Sequence, residues 1–128
     1  MKVLDTDFLV ALLRGSEQAK TLLDELRCED VSTTSISAFE LNYGALKTKN
    51  PENIAVTKRL LSSLDVMPLD KLAAEKTAEI INTLQSRGEN LDLRDAMIAG
   101  ITASNAAAIV TRNTKHFSKV KELEVIRW

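Results

Sequence analysis

Residues 2–13 read KVLDTDFLVALL and contain a short apolar segment, a polar break and a dense apolar block. The segment from Lys2 to Leu4 is short and apolar enough for a buried strand, which the polar residues 5–7 close. Residues 8–13 are too uniformly apolar for an exposed helix, so they predict the start of a buried helix that Arg14 and Gly15 interrupt. The stretch therefore predicts a strand followed by a helix, the unit from which α/β folds are built.

The same alternation continues along the chain. Cap residues and apolar spacing predict helices over residues 17–27, 38–46, 51–64 and 71–87, and a further helix from residue 92 or 93. Short β-branched or apolar runs predict strands at residues 31–34, 66–69, 107–110 and 124–126. The predicted fold is α/β, a three-layer α/β/α sandwich around a mostly parallel sheet, in a single domain spanning residues 1–128.

Composition excludes several classes of protein. With 45% hydrophobic and 27% charged residues, the chain is neither disordered nor collagen-like. The lone Cys28 excludes an intramolecular disulfide and a cysteine-rich zinc site. No run of 18 apolar residues occurs, so we expect no membrane segment. Acidic Asp5 stands where a signal peptide would have an apolar stretch, so we expect a cytoplasmic protein. The glycine-rich motifs of nucleotide-binding loops are also missing.

The charge is unevenly distributed although the net charge is only −1. Residues 5–40 carry eight acidic and three basic side chains, whereas residues 111–128 carry five basic and two acidic ones. Such an asymmetry is informative about binding partners and not about the fold.

Three acidic residues are predicted at the ends of strands or the starts of helices. Asp5 closes the first strand, Glu40 follows the second, and Asp95 opens an apolar helix. Each also has a structural explanation, because Asp5 can cap a helix, Ser37 and Glu40 match a capping box, and Asp95 suits the first turn of a helix capped by Asp92. Capping is satisfied equally well by Ser, Thr or Asn, so three carboxylates at converging strand ends also predict a site.

Converging carboxylates repel one another unless a cation offsets their charge. Ligands that are all oxygen favour Mg²⁺ or Mn²⁺ over zinc. Metal sites of this kind hydrolyse phosphodiesters, because the ion polarises the phosphoryl oxygen and activates water.

Four stretches together resemble one family. They are residues 1–7 (MKVLDTD), 35–45 (SISAFELNYGA), 91–100 (LDLRDAMIAG) and 109–117 (IVTRNTKHF). In this order they resemble the PIN-domain family, and in particular the VapC-type toxin ribonucleases. The resemblance implies an endoribonuclease that depends on Mg²⁺ or Mn²⁺, a cognate antitoxin, and usually a homodimer. It makes Asp5, Glu40 and Asp95 the catalytic and metal-binding residues.

The resemblance also ranks the neighbouring residues. Asn113 occupies the family's fourth acidic position, where it can position a water but adds no charge. Asp7 stands where asparagine is common, and Thr111, like Thr6, can hydrogen-bond carboxylates or water. His116 is a candidate base, a phosphate contact or a residue without a role.

The basic tail has two interpretations. Arg112, Lys115, Lys119 and Lys121 either follow an RNA backbone or form a solvated face. We expect Tyr43 and Trp128 to pack and not to stack on bases.

The sequence leaves one other function open and argues against another. The first is a catalytically silent module that keeps the fold and binds a partner. The second is a phospho-receiver domain, which needs an acceptor aspartate near residue 55 and a lysine after a later strand; residues 50–53 (NPEN) instead open a helix, and residues 104–110 contain no lysine. For a toxin, the acidic residues predict that an antitoxin inserts an arginine or lysine. An apolar groove near Phe8, Leu12 and Phe39 would anchor it.

Overall fold

A computed structural model describes residues 1–26 and 30–128 of the chain. Its strands are β1 (Lys2–Leu4), β2 (Val31–Thr34), β3 (Asp65–Met67), β4 (Ala108–Thr111) and β5 (Glu124–Arg127). Its helices are α1 (Thr6–Leu13), α2 (Glu17–Leu26), α3 (Ser35–Lys47), α4 (Pro51–Ser62), α5 (Lys71–Ser86), α6 (Leu93–Ser104) and α7 (Thr114–Phe117). The predicted alternation of strands and helices is confirmed. In these ranges no helix is long and apolar enough to cross a membrane.

The five strands form one sheet in the order β3-β2-β1-β4-β5, and every pair is parallel. β1 therefore lies at the centre, paired with β2 on one side and β4 on the other. The helices that connect parallel strands pack on the sheet, so both faces of a parallel sheet are buried. Leu4 and Val110 face a core shared with α1, α2 and α3, whereas Ile109 faces a core shared with α5 and α6. The three-layer α/β/α sandwich is confirmed.

The caps explain where most helices begin. Asp5, Asn50, Asp70 and Asp92 are N-caps whose side chains accept hydrogen bonds from the first-turn amides of α1, α4, α5 and α6. Each of these caps was readable from the sequence, and Pro51 occupies the first turn of α4 as expected.

Two sequence predictions about the elements were wrong. α3 begins at Ser35, with Thr34 as its N-cap accepting a hydrogen bond from the Ser37 amide at 3.1 Å. Ser37 and Glu40 therefore form no capping box. The four-residue helix α7 was not predicted, because one turn is too short to show a period. The predicted end of α2 at Arg27, and Cys28, lie outside the described residues.

Helices α5 and α6 approach each other closely through small side chains. Gly100 of α6 is buried, and a Cβ atom there would collide with the Thr77 hydroxyl and lie 2.9 Å from the Ala73 carbonyl oxygen. This contact fixes α6, and with it Asp95 in the first turn of that helix.

Candidate active site

The acidic residues converge on one cleft at the carboxyl ends of the central strands. The cleft has a volume of about 660 Å³, and four carboxylates line it: Asp5, Asp7, Glu40 and Asp95. Asn113 also lines it. The ends of neighbouring parallel strands meet at one edge of a sheet, so β1 and β4 deliver residues 5–7 and 111–113 to the same place. The predicted convergence of Asp5, Glu40 and Asp95 on one cleft is observed.

Asp5 forms the floor of the cleft and is only 4% exposed. Its Oδ1 accepts a hydrogen bond from the Thr6 amide at 2.8 Å, which is the α1 cap. Its Oδ2 accepts one from the Thr111 hydroxyl at 2.7 Å. Asp5 is therefore both a helix cap and a member of the acidic cleft, so the two alternatives drawn from the sequence hold together.

Burial raises the pKa of Asp5 from 3.8 to about 7. Desolvation is the largest cause, because an ionised carboxylate loses its water here. The Thr111 hydroxyl opposes the rise, whereas the charges of Asp7 and Asp95 add to it. The negative charge of ionised Asp5 at the floor of the cleft is therefore only partly offset by its hydrogen-bond donors.

The Asp7 side chain contacts both the end of β4 and Trp128. Its Oδ2 accepts a hydrogen bond from the Arg112 amide at 3.0 Å and lies 3.4 Å from the Thr111 hydroxyl. Its Oδ1 accepts one from Nε1 of Trp128 at 3.4 Å. Thr111 is fully buried and also accepts a hydrogen bond from the Asn113 amide at 2.9 Å. Thr111 therefore positions carboxylates, as one of its predicted roles required.

Glu40 is positioned by two neighbours. The Thr6 hydroxyl donates to its Oε1 at 2.9 Å, and the same hydroxyl lies 2.9 Å from that of buried Ser37. Its Oε2 lies 3.5 Å from Nη1 of Arg94. Thr6 therefore connects α1 to α3 at the cleft. The sequence did not single out Arg94.

Asp95 faces His116 of α7. The two side chains lie 3.1 Å apart, between Oδ2 of Asp95 and Nδ1 of His116. His116 belongs to the short helix α7, which was not predicted from the sequence. It contacts one of the candidate metal ligands, and an N–H at Nδ1 would donate to the carboxylate.

The donor chemistry of the cleft fits a hard divalent cation. Its carboxylates and the Asn113 amide offer oxygen ligands only, and the uncompensated charge at Asp5 favours a positive ion. The ligands do not form a closed coordination shell. In residues 1–26 and 30–128, no three acidic, histidine or cysteine side chains stand where they could all bind one ion. Glu40 and Asp95 are held instead by Arg94 and His116.

The remaining predicted residues divide between the cleft and other surfaces. Arg112 lines the cleft. Lys115 is exposed on α7, Lys121 lies in a separate depression, and Lys119 donates to the Asn90 carbonyl at 2.9 Å. Asp92 caps α6 outside the cleft, as expected.

The predictions for the aromatic residues had mixed outcomes. Trp128 is buried and packs edge-to-face on Phe8, as expected. Tyr43, which we expected to pack, is 54% exposed and stacks on exposed Phe39 with 5.9 Å between the ring centroids.

The predicted apolar groove was partly wrong. Phe8 is fully buried and cannot line a surface. A groove of about 370 Å³ lies instead between α1, α3 and α4, where Leu13, Leu41 and Val56 form part of its wall. It adjoins the acidic cleft, since Val10, Arg14 and Glu40 line both.

Comparison with known proteins identifies the family. The family model described as PIN domain matches residues 2–123. This chain belongs to the PIN domain family. Among its curated relatives, the protein named tRNA(fMet)-specific endonuclease VapC from Shigella flexneri is 32% identical over 127 residues, covering 98% of this chain and 96% of that protein. The protein of the same name from Salmonella typhimurium strain LT2 is 30% identical with the same coverage.

A solved structure extends the likeness to the whole PIN domain. The crystal structure of DNA-bound VapBC from Salmonella typhimurium contains a chain that is 29% identical, with a TM-score of 0.92 and coverage of 99% of this chain and 97% of that one. The resemblance drawn from the four sequence stretches is therefore confirmed at the level of family and fold.

Proposed function

We propose that this chain is an endoribonuclease of the VapC type that hydrolyses RNA phosphodiester bonds with Mg²⁺ or Mn²⁺, and that it is the toxin of a toxin–antitoxin pair. The observation that carries the proposal is the convergence of Asp5, Asp7, Glu40 and Asp95 on one cleft, with Asp5 buried at its floor. The names of the two VapC relatives support RNA as the substrate.

The residues of the cleft suit this chemistry. Asp5, Glu40 and Asp95 would hold the cation, which requires Glu40 to leave Arg94. When bound, the ion would neutralise charge on the phosphoryl group and lower the pKa of a bound water. Thr111 keeps Asp5 oriented through its 2.7 Å hydrogen bond, and His116 does the same for Asp95.

Two further side chains complete the arrangement. The Asn113 side chain makes no capping hydrogen bond with α7 and lines the cleft, so it is able to orient a water molecule. Asp7 supplies a further carboxylate at the cleft wall. Its contacts with the Arg112 amide, the Thr111 hydroxyl and the Trp128 ring hold these residues in place, so Asp7 orders the site as well as adding negative charge.

The test is cleavage of purified tRNA, tRNA(fMet) first, by wild type, Asp95→Asn and Asp92→Asn with Mg²⁺, with Mn²⁺ and with EDTA. The two aspartates lie in the same helix start, and asparagine keeps the Asp92 cap. We expect Asp95→Asn to lose more than about a hundredfold in kcat, because a metal contributes several kcal/mol to the transition state. Asp92→Asn should remain close to wild type.

The same experiment separates the alternative function. Cleavage that survives complete chelation contradicts the metal mechanism. A wild type that is stabilised by Mg²⁺ but cuts no RNA supports the catalytically silent module instead.

We also propose the two protein partners that the family resemblance implies. An antitoxin segment fits the apolar groove between α1, α3 and α4, where its basic side chain would reach Glu40 in the shared wall. The VapBC structure from Salmonella typhimurium, which this chain resembles, supports such a partner. A second copy of the chain would cover the exposed stripe of Phe39, Tyr43 and Leu46 on α3, and the mass in solution tests this homodimer.

A further inference from the structure

Arg112 lies at the edge of the acidic cleft, and the side chains that contact its guanidinium are neutral. Its guanidinium lies over the Trp128 ring, with Cζ 3.7 Å from the ring centroid. Nη2 donates a hydrogen bond to Oε1 of Gln18 at 3.1 Å. Its backbone amide is tied to Asp7 at 3.0 Å, so both ends of the residue are fixed.

The charge of Arg112 is not neutralised by a carboxylate. In the part of the chain that the structure describes, no acidic oxygen lies within 4.0 Å of its guanidinium nitrogens. Arg94 is different, because it faces the cleft residue Glu40 at 3.5 Å and Asp92 at 3.7 Å. Arg14 also lines the cleft, and Arg112 differs from it in being stacked on Trp128 and hydrogen-bonded to Gln18. A guanidinium has five N–H donors, and the bond to Gln18 uses one. Arg112 therefore keeps both charge and donors for an anion.

Trp128 makes the platform beneath Arg112 rigid. Its ring is 8% exposed and packs edge-to-face on Phe8, with 5.0 Å between centroids and an angle of 86°. Its Nε1–H points to Asp7 at 3.4 Å. An arginine stacked on an immobile ring loses less conformational entropy when it binds a ligand than a mobile one does.

We propose that Arg112 binds a backbone phosphate of the RNA next to the scissile bond, and that Trp128 and Gln18 are positioning residues that aim its guanidinium. The inference rests on the proposed ribonuclease function and deepens it. Four carboxylates repel an approaching polyanion, so the substrate needs a cation at the cleft that the carboxylates do not neutralise. Arg112 meets this requirement, and its planar fork matches the geometry of phosphate oxygens.

The experiment compares Arg112→Gln with the matched control Arg127→Gln, since Arg127 is exposed on β5 and does not line the cleft. Steady-state cleavage of tRNA is measured at saturating Mg²⁺. Binding to the same RNA is measured in EDTA across a salt series in the Asp95→Asn background, where we expect turnover to be slowed more than about a hundredfold.

We expect Arg112→Gln to raise KM roughly tenfold or more, with a smaller effect on kcat, because one charged hydrogen-bond partner is lost. The salt slope of log K should flatten by about 0.7, the value for one phosphate contact on a single strand. Arg127→Gln should change neither quantity. Equal KM and equal slope in the two variants would overturn the inference, whereas a wild type that cuts no RNA would refute the proposed function itself.

A double-mutant cycle tests the positioning role of Trp128. If Trp128 acts through Arg112, Trp128→Leu raises KM in wild type but adds little once Arg112→Gln is present. Additive effects would show that Trp128 contributes only to stability. Should Trp128→Leu fail to fold, exposed Gln18→Leu serves in the same cycle with the same two outcomes.

Discussion

Replacing Asp5 with asparagine should stabilise the metal-free protein while abolishing its activity. Asparagine keeps an oxygen to cap α1, and its amide can donate to the Thr111 hydroxyl. What it removes is a buried charge that the hydrogen bonds from Thr111 and Thr6 offset only in part. The folded pKa of Asp5 is about 7 and its reference value is 3.8, so ionisation costs the folded state about 4 kcal/mol at high pH.

The sign of the pH dependence follows from these two values. Between them, the folded protein holds a proton on Asp5 that the unfolded chain has lost, so the free energy of unfolding falls as the pH rises. Above pH 7 the folded carboxylate is ionised and the penalty is complete. The advantage of Asp5→Asn should therefore be about 2–4 kcal/mol at pH 8, less than half as large at pH 5, about 0.5 kcal/mol near pH 4, and absent below about pH 3.

Urea unfolding in EDTA measures this directly. Trp128 is the single tryptophan and is buried, so its emission reports unfolding. Added Mg²⁺ should stabilise wild type and not Asp5→Asn. The difference in the free energy of unfolding between the two proteins should then become smaller or change sign. A variant that is less stable than wild type at pH 8 in EDTA, or a difference independent of pH, would show that the Asp5 charge is already compensated in the fold.

Two further predictions concern the core. Gly100→Ala should lower the free energy of unfolding by at least about 2 kcal/mol in urea titration, because its Cβ meets both a side chain and a backbone carbonyl of α5; a smaller loss would mean that the helices separate easily. Ser32→Ala should leave stability unchanged or raise it by up to about 1 kcal/mol, since the Ser32 hydroxyl is the one buried side-chain polar atom in the described ranges that lacks a hydrogen-bond partner. A loss above 1 kcal/mol would indicate a partner for that hydroxyl.

Local sequence signals were sufficient for most of the fold. The short apolar strands and the N-caps Asp5, Asn50, Asp70 and Asp92 each act over a few residues, and all appear where predicted. The start of α3 was misplaced because the sequence has several consecutive hydroxyl residues able to cap a helix. The end of β2 selects Thr34, and strand pairing fixes that end.

The sequence predicted the acidic residues of the site but not the side chains that contact them. Asp5, Glu40 and Asp95 were recognisable because each follows a predicted strand or opens a predicted helix, and because each lies in a stretch that resembles the PIN-domain family. Arg94 and Trp128 carry no such signal, since their roles depend on tertiary packing. Trp128 meets Asp7 across 121 positions of sequence, a contact that no local pattern encodes.

The central position of β1 has a consequence for how the protein folds. Asp5, which follows β1 and forms the floor of the cleft, accepts a hydrogen bond from Thr111, which lies 106 positions further along the chain. Contacts so distant in sequence form slowly, and parallel pairing of β1 with β4 requires most of the chain to be in place. We therefore expect the cleft to assemble late, so that recovery of nuclease activity coincides with the last cooperative step of refolding. A half-folded molecule would be harmless to RNA.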